Sequence, residues 1–170
     1  MSFELELAKT TGKPVLVFDP SPTGIATVAA SDTRNLRFFP IGIAATTGRV
    51  EFSLPKDPGG GSYSVPREGI EKISFECWNL AYIMSRNGDT SIDLLKMDIE
   101  GFEYDIIDQF IEQRVPIRQL CVEFHPRLRP GRTLRTIRKL YGAGYRIIHK
   151  HRGDHTFVLK DSAHKKLLET

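Results

Sequence analysis

The sequence predicts an α/β sandwich with an antiparallel pair of strands at its end. Three observations lead there. Short apolar runs of strand length alternate with stretches whose apolar residues recur at three-and-four spacing. Three of those runs close on Asp, Glu or His followed by Gly or Pro. The last two runs flank the tight polar turn Arg152-Gly153-Asp154. The order read from the chain is helix, strand, strand, hairpin, helix, strand, helix, strand, helix, then paired strands.

At 170 residues the chain suits one domain, with 40% hydrophobic and 26% charged residues, values that exclude disordered and fibrous classes. Cys77 and Cys121 are far apart and lack metal-ligand spacing, which points to free thiols in a reducing compartment. The N-terminal residues carry acids and no signal-peptide core, and no run is long and apolar enough to cross a membrane, so a soluble, cytoplasmic protein is expected.

In chain order, Phe3 to Lys9 reads as a helix stopped by Gly12 and Pro14. Val15 to Phe18 is a buried strand ending in Asp19, with Pro20, Pro22 and Gly24 in a loop. In nucleotide-binding α/β folds an acid at such a strand end holds a ribose hydroxyl. An Asp before Pro also opens loops through its own side-chain hydrogen bonds, and both readings stand. Phe38 to Ala45 reads as a strand that Pro40 pushes toward an edge. Arg49 to Leu54 alternates as half of a hairpin, and the segment containing Gly59, Gly60 and Gly61 is loop rather than a phosphate-binding turn. Ile73 to Cys77 is a further strand. Trp78, Tyr82, Ile83 and Met84 mark a helix ending near Gly88, with its aromatics in the core.

The stretch Asp93 to Ile107 carries the chemistry. Leu94, Leu95, Met97 and Ile99 form a near-continuous apolar run, as in a central strand covered on both faces. Asp98 and Glu100 follow two apart, so an extended backbone would send both carboxylates to one side. Gly101 allows a sharp turn, and Phe102, Ile106, Ile107, Phe110 and Ile111 form a helix face. Acids also occur at helix starts as caps, and Glu103 reads as no more than that. Gln119 to His125 is a second buried strand, parallel to the first, and Glu123 and His125 share a face at its carboxyl end. Asp98, Glu100, Glu123 and His125 are therefore expected to line one crevice.

From Pro126 to Gly153 there are nine Lys and Arg side chains and no acid. Leu134, Ile137 and Tyr141 suggest an inward stripe with the cations solvated, and a net charge of +3 offers nucleic acid little general attraction, so no nucleic-acid partner is expected. His149, His151 and His155 lack zinc-site support, and no metal is assigned to them.

With those residues in view, the chain resembles the FkbM-type class I S-adenosylmethionine-dependent methyltransferases. LLKMDIEGFE is similar to the family's Lys-Ile-Asp-x-Glu-Gly-x-Glu signature, which here follows a strand and a hydroxyl-rich loop, and PVLVFDP and QLCVEFH match in kind. The resemblance spans about Phe3 to Lys160. It implies a Rossmann-like sandwich, a mostly parallel sheet with a C-terminal antiparallel pair, and residues 1–170 as one partial methyltransferase-like domain. It lacks the family's first strand and glycine loop, so an N-terminally truncated domain with weak cofactor binding is expected. The resemblance gives Asp19 the cofactor ribose and sets Asp98 near the methionine end of S-adenosylmethionine. Glu100, Glu123 and His125 then face a saccharide or small-molecule acceptor, with O-methylation of a hydroxyl as the default reaction. Asp98, Glu100 and His125 are the catalytic candidates, with His125 or Asp98 as base. A divalent cation held by Asp98, Glu100, Glu123 and His125 is the rival, though no metal ligand is assigned. A degenerate, non-catalytic binding module and a nicotinamide-dependent oxidoreductase are the alternatives from other classes. The sequence carries no signal for the oligomeric state.

Overall fold

The computed structural model describes residues 2–30, 36–57 and 61–160, and these fall into two compact units. The first unit comprises the described residues up to 43 and those from 48 to 78, the second residues 44–47 and 79–160. Gly59 and Gly60 lie outside the described residues.

In the first unit, helix α1 (Ser2–Thr11) ends at Gly12, whose φ of 65° is a conformation that glycine adopts without steric cost. Strand β1 (Val15–Phe18) pairs in parallel with β2 (Leu36–Phe39), and the Phe18 and Phe39 rings stack at 4.8 Å. Parallel neighbours need a crossover, and helix α2 (Pro22–Ala29) supplies it. The sequence reading made this segment a loop because of its prolines and glycine. Ser21 is in fact an N-cap accepting from the Gly24 N–H at 2.9 Å, and Pro22 sits in the first turn, where its missing N–H costs nothing.

The expected strand Phe38 to Ala45 is two strands. Pro40 has no N–H to donate, and beyond it β3 (Gly42–Ile43) pairs with a different partner, the end of β5 (Lys72–Trp78). Strand β4 (Gly48–Ser53) lies antiparallel on the other side of β5. Trp78 closes β5 rather than opening a helix.

The second unit begins with α3 (Leu80–Asn87), capped by Asn79 and ended by Gly88. Leu80, Ile83 and Met84 are its buried residues, whereas Tyr82 is exposed, because the cap at Asn79 sets the helix phase and turns that ring outward. The sheet runs β6-β7-β9-β8, built from β6 (Ile92–Met97), β7 (Ile117–Glu123), β8 (Tyr145–His151) and β9 (Asp154–Leu159). β6 and β7 are parallel, joined through α4 (Glu103–Glu112), and β9 is antiparallel to both β7 and β8. Among the described strands β6 thus ends this four-stranded sheet rather than standing at its centre. The last residues of β6 alternate in burial: Leu95 and Met97 are buried and Lys96 between them is exposed.

Helix α5 (Arg132–Gly142) buries Thr136 and Leu140 instead of the expected stripe, and Leu134 is 59% exposed. Arg132 pairs with Asp105 and Asp108, and Lys139 with Asp108, so the cationic edge of α5 turns to α4. Tyr145 is fully enclosed and donates its hydroxyl to the Ile117 carbonyl at 2.8 Å.

Among the described strands the hydrogen-bonded pairings are three parallel and three antiparallel, so the parallel character expected to dominate does not. No described helix is long and apolar enough to cross a membrane.

Candidate active site

Strand β6 delivers its chain end beside that of β7, and the five residues that follow decide the geometry. Strand character stops at Met97, so Asp98 and Glu100 do not share a side by pleat alternation. Glu100 adopts φ 49° and Gly101 φ 100°, a reversal that bends the chain back over the sheet end. A left-handed conformation at a non-glycine residue is strained, and such strain is commonly found at working sites. The turn achieves the convergence that the spacing suggested by another route: the His125 Nε2 atom lies 3.8 Å from Asp98 Oδ1 and 3.5 Å from Glu100 Oε2.

Glu103 holds this arrangement from below. Its carboxylate is fully buried, with Oε2 accepting from the Gly101 N–H at 2.8 Å and Oε1 accepting from the His125 backbone N–H at 2.8 Å. The same Oε1 is 3.3 Å from His125 Nδ1. Glu103 therefore ties the β6 turn, the start of α4 and the end of β7 into one body. Reading it as a cap missed this; the signal available was its place as the last acid of the quoted signature.

Glu123, the last residue of β7, joins this cluster. Asp98, Glu123 and His125 each offer one potential ligand atom within 4.8 Å of the others. Burial and the neighbouring Asp98 carboxylate push the Glu123 carboxyl above the usual range. The hydrogen bond to Glu103 pushes the His125 imidazole up to about 9, against burial, with the charges of Glu103, Glu100 and Asp98 adding to the effect. The turn between β8 and β9 flanks the crevice: the Phe124 N–H bonds the Gly153 carbonyl at 3.0 Å, and Asp154 pairs in register with Glu123. His155 belongs to the core, its ring between those of Phe124 and Phe157.

Asp19 belongs to the first unit, at the carboxyl end of β1. Its Oδ1 accepts from the Ser21 N–H at 2.8 Å. A Cβ at Gly24 would fall on this carboxylate, 2.8 Å from Oδ1 and closer still to Cγ and Oδ2. Gly24 is helical, so the close approach of Asp19, not backbone conformation, accounts for the glycine.

An α/β fold with an acid at the end of one strand, and a histidine among carboxylates beyond two adjacent parallel strand ends, belongs to the class that binds ligands at the carboxyl edge of its strands. The particular family follows from the sequence: residues 10–147 match the methyltransferase FkbM domain, and the chain belongs to that family. The fold is similar to that of the methyltransferase FkbM from Methylobacillus flagellatus KT, with a TM-score of 0.55 at 18% identity. The match covers 89% of this chain and 39% of that one, so the chain spans well under half the length of that relative. No functionally curated protein matches the sequence.

Proposed function

We propose that the chain carries out S-adenosylmethionine-dependent methyl transfer to a hydroxyl of a saccharide or small metabolite, with His125 as the base. The observation that carries this reading is the His125 ring, held at Nδ1 by a buried carboxylate while Nε2 faces the carboxylates of Asp98 and Glu100. The first unit's residues suit the cofactor: with Asp19 Oδ1 engaged by Ser21, its Oδ2 is an acceptor of the right chemistry for a ribose hydroxyl. When bound, the cofactor supplies a methyl group on a sulfonium, which needs alignment more than covalent help. The protein's part is then to orient the acceptor and accept its proton. Nε2 of the neutral His125 ring takes the hydroxyl proton, and the resulting imidazolium is stabilised by Glu103, Glu100 and Asp98. In this reading Asp98 and Glu123 accept hydrogen bonds from neighbouring hydroxyls of a polyol acceptor.

The test is transfer of a labelled methyl group to a panel of hydroxylated acceptors, with cofactor binding followed by calorimetry. His125→Ala is expected to cost on the order of 10²–10⁴ in turnover. The rival arrangement, a divalent cation in the crevice, has in its favour the mutual approach of Asp98, Glu123 and His125. Transfer that stops with a chelator and returns with manganese or magnesium would replace the base by that cation. Neither cofactor binding nor transfer would leave the non-catalytic module.

A further inference from the structure

We propose that Glu103 is the positioning residue of this site: its buried carboxylate fixes the His125 ring with a proton on Nδ1 and turns Nε2 toward Asp98 and Glu100. The inference rests on the reading of His125 as proton acceptor and names what makes that histidine competent.

The geometry is more than a helix cap requires. A carboxylate at a helix start ordinarily satisfies free N–H groups of its own first turn, at the surface, where it stays hydrated. Glu103 instead is removed from solvent completely, a burial that is costly for a charged group unless its oxygens are matched by donors. Its donors lie outside the helix. The Gly101 N–H is in the preceding turn, and the His125 N–H and ring are beyond the end of β7, on a different element. The bond to the backbone of His125 fixes where the residue stands, and the contact with Nδ1 fixes how the ring is turned.

A carboxylate has no proton to give, so the shared hydrogen must belong to Nδ1. In the neutral ring the lone pair then sits on Nε2, the atom facing the crevice. Among the described residues the other ionisable groups near His125 are Asp98 and Glu100 from the β6 turn, Glu123 at the end of β7 and Tyr104 of α4, which is hydrogen-bonded to the His125 backbone, with Asp154 of β9 beside Glu123. These carboxylates are more exposed than Glu103, so water screens them and leaves Glu103 as the dominant partner of the ring. An orienting carboxylate of this kind keeps one tautomer ready and stabilises the cation formed when the proton arrives.

Nitrogen-15 NMR of the His125 ring tests this on the protein as it is, without cofactor. The neutral wild-type ring is expected to carry its proton on Nδ1 and to titrate near 9. Glu103→Gln should lower the ring's proton affinity at least tenfold and move the neutral proton toward Nε2, and Asp98→Asn should shift it less. A role confined to capping would lower the melting temperature of Glu103→Gln and leave the tautomer as it was. A wild-type neutral ring protonated on Nε2, or an Asp98→Asn shift as large as that of Glu103→Gln, would overturn the proposal, and the wild-type measurement decides even if Glu103→Gln does not fold. If Glu103 governs the ring as described while His125→Ala leaves methyl transfer intact, the base assignment fails and the positioning contact stands.

Discussion

At the scale of single residues, His125 makes the most direct predictions. Its folded-state pKa of about 9 exceeds the ordinary 6.5, so the folded protein holds this proton more tightly than the unfolded chain does. The stabilisation is complete below pH 6.5 and is lost as pH rises through about 9, on the order of 3 kcal/mol in all. Denaturant titrations at pH 6 and pH 9.5 should show the fall, and His125→Ala should remove it. Methyl transfer should run the other way, rising with pH through the same value as the ring becomes able to accept a proton; a flat profile would contradict the base. Gly24 gives a second test. Alanine in a helix is favoured over glycine by about 1 kcal/mol, yet a Cβ here would displace Asp19. Asp19→Ala should weaken cofactor binding by about 1.5–3 kcal/mol, the worth of a charged hydrogen bond. Gly24→Ala should weaken it comparably in the wild type. In the Asp19→Ala background Gly24→Ala should only stabilise, read as a rise in melting temperature.

At the scale of elements, the contact between α4 and α5 includes ion pairs made by basic residues that the sequence reading left solvated. Arg132 joins Asp105 and Asp108 and lies 5.4 Å over the Tyr104 ring, whose hydroxyl meets the Thr133 hydroxyl at 2.9 Å. These charges are partly exposed, so Arg132→Ala is expected to cost only about 1 kcal/mol, and added salt should shrink the difference. A loss several times larger in thermal melts would mean that the stacking on Tyr104 outweighs the ion pairs. Elements were legible where a local signal sufficed. β1, β4, β5, α4, β7 and the β8–β9 hairpin lie within a few residues of the sequence reading, because apolar runs, glycine and proline act over short range. α2 was missed because Ser21 and Pro22 look like loop residues until their capping geometry is seen, and α5 was misrotated because the burial of Leu140 and the pairing of Arg132 with acids on another helix are tertiary contacts.

At the scale of the molecule, buried apolar residues are concentrated in the second unit, where Tyr104, Ile106, Ile107, Phe110, Ile117 and Leu120 are shielded almost completely. Among the described residues, the first unit's buried apolar side chains are Ala8, Phe52, Val65 and Cys77. Local stability follows buried contact, so the first unit should open first. Trp78, the one tryptophan of the sequence, reports on it. Its fluorescence is expected to change at lower denaturant than the His125 ring resonance of the second unit, and coincident transitions would show a single cooperative fold instead.

The sequence by itself determined the α/β alternation, the family through the stretch Lys96 to Glu103, and the gathering of Asp98, Glu100, Glu123 and His125 at neighbouring strand ends. The alternation and the gathering rest on local periodicity and on the rule that strands joined by a helix run parallel, whereas the family rests on the resemblance of that stretch to a known signature. Only the tertiary structure decided that β6 ends its sheet among the described strands, that Glu100 reaches the crevice through a strained turn, and that Glu103 is the buried centre of the site. The reason is physical: an acid at a helix start looks the same in sequence whether water or a histidine 22 residues away satisfies it, and packing alone settles which.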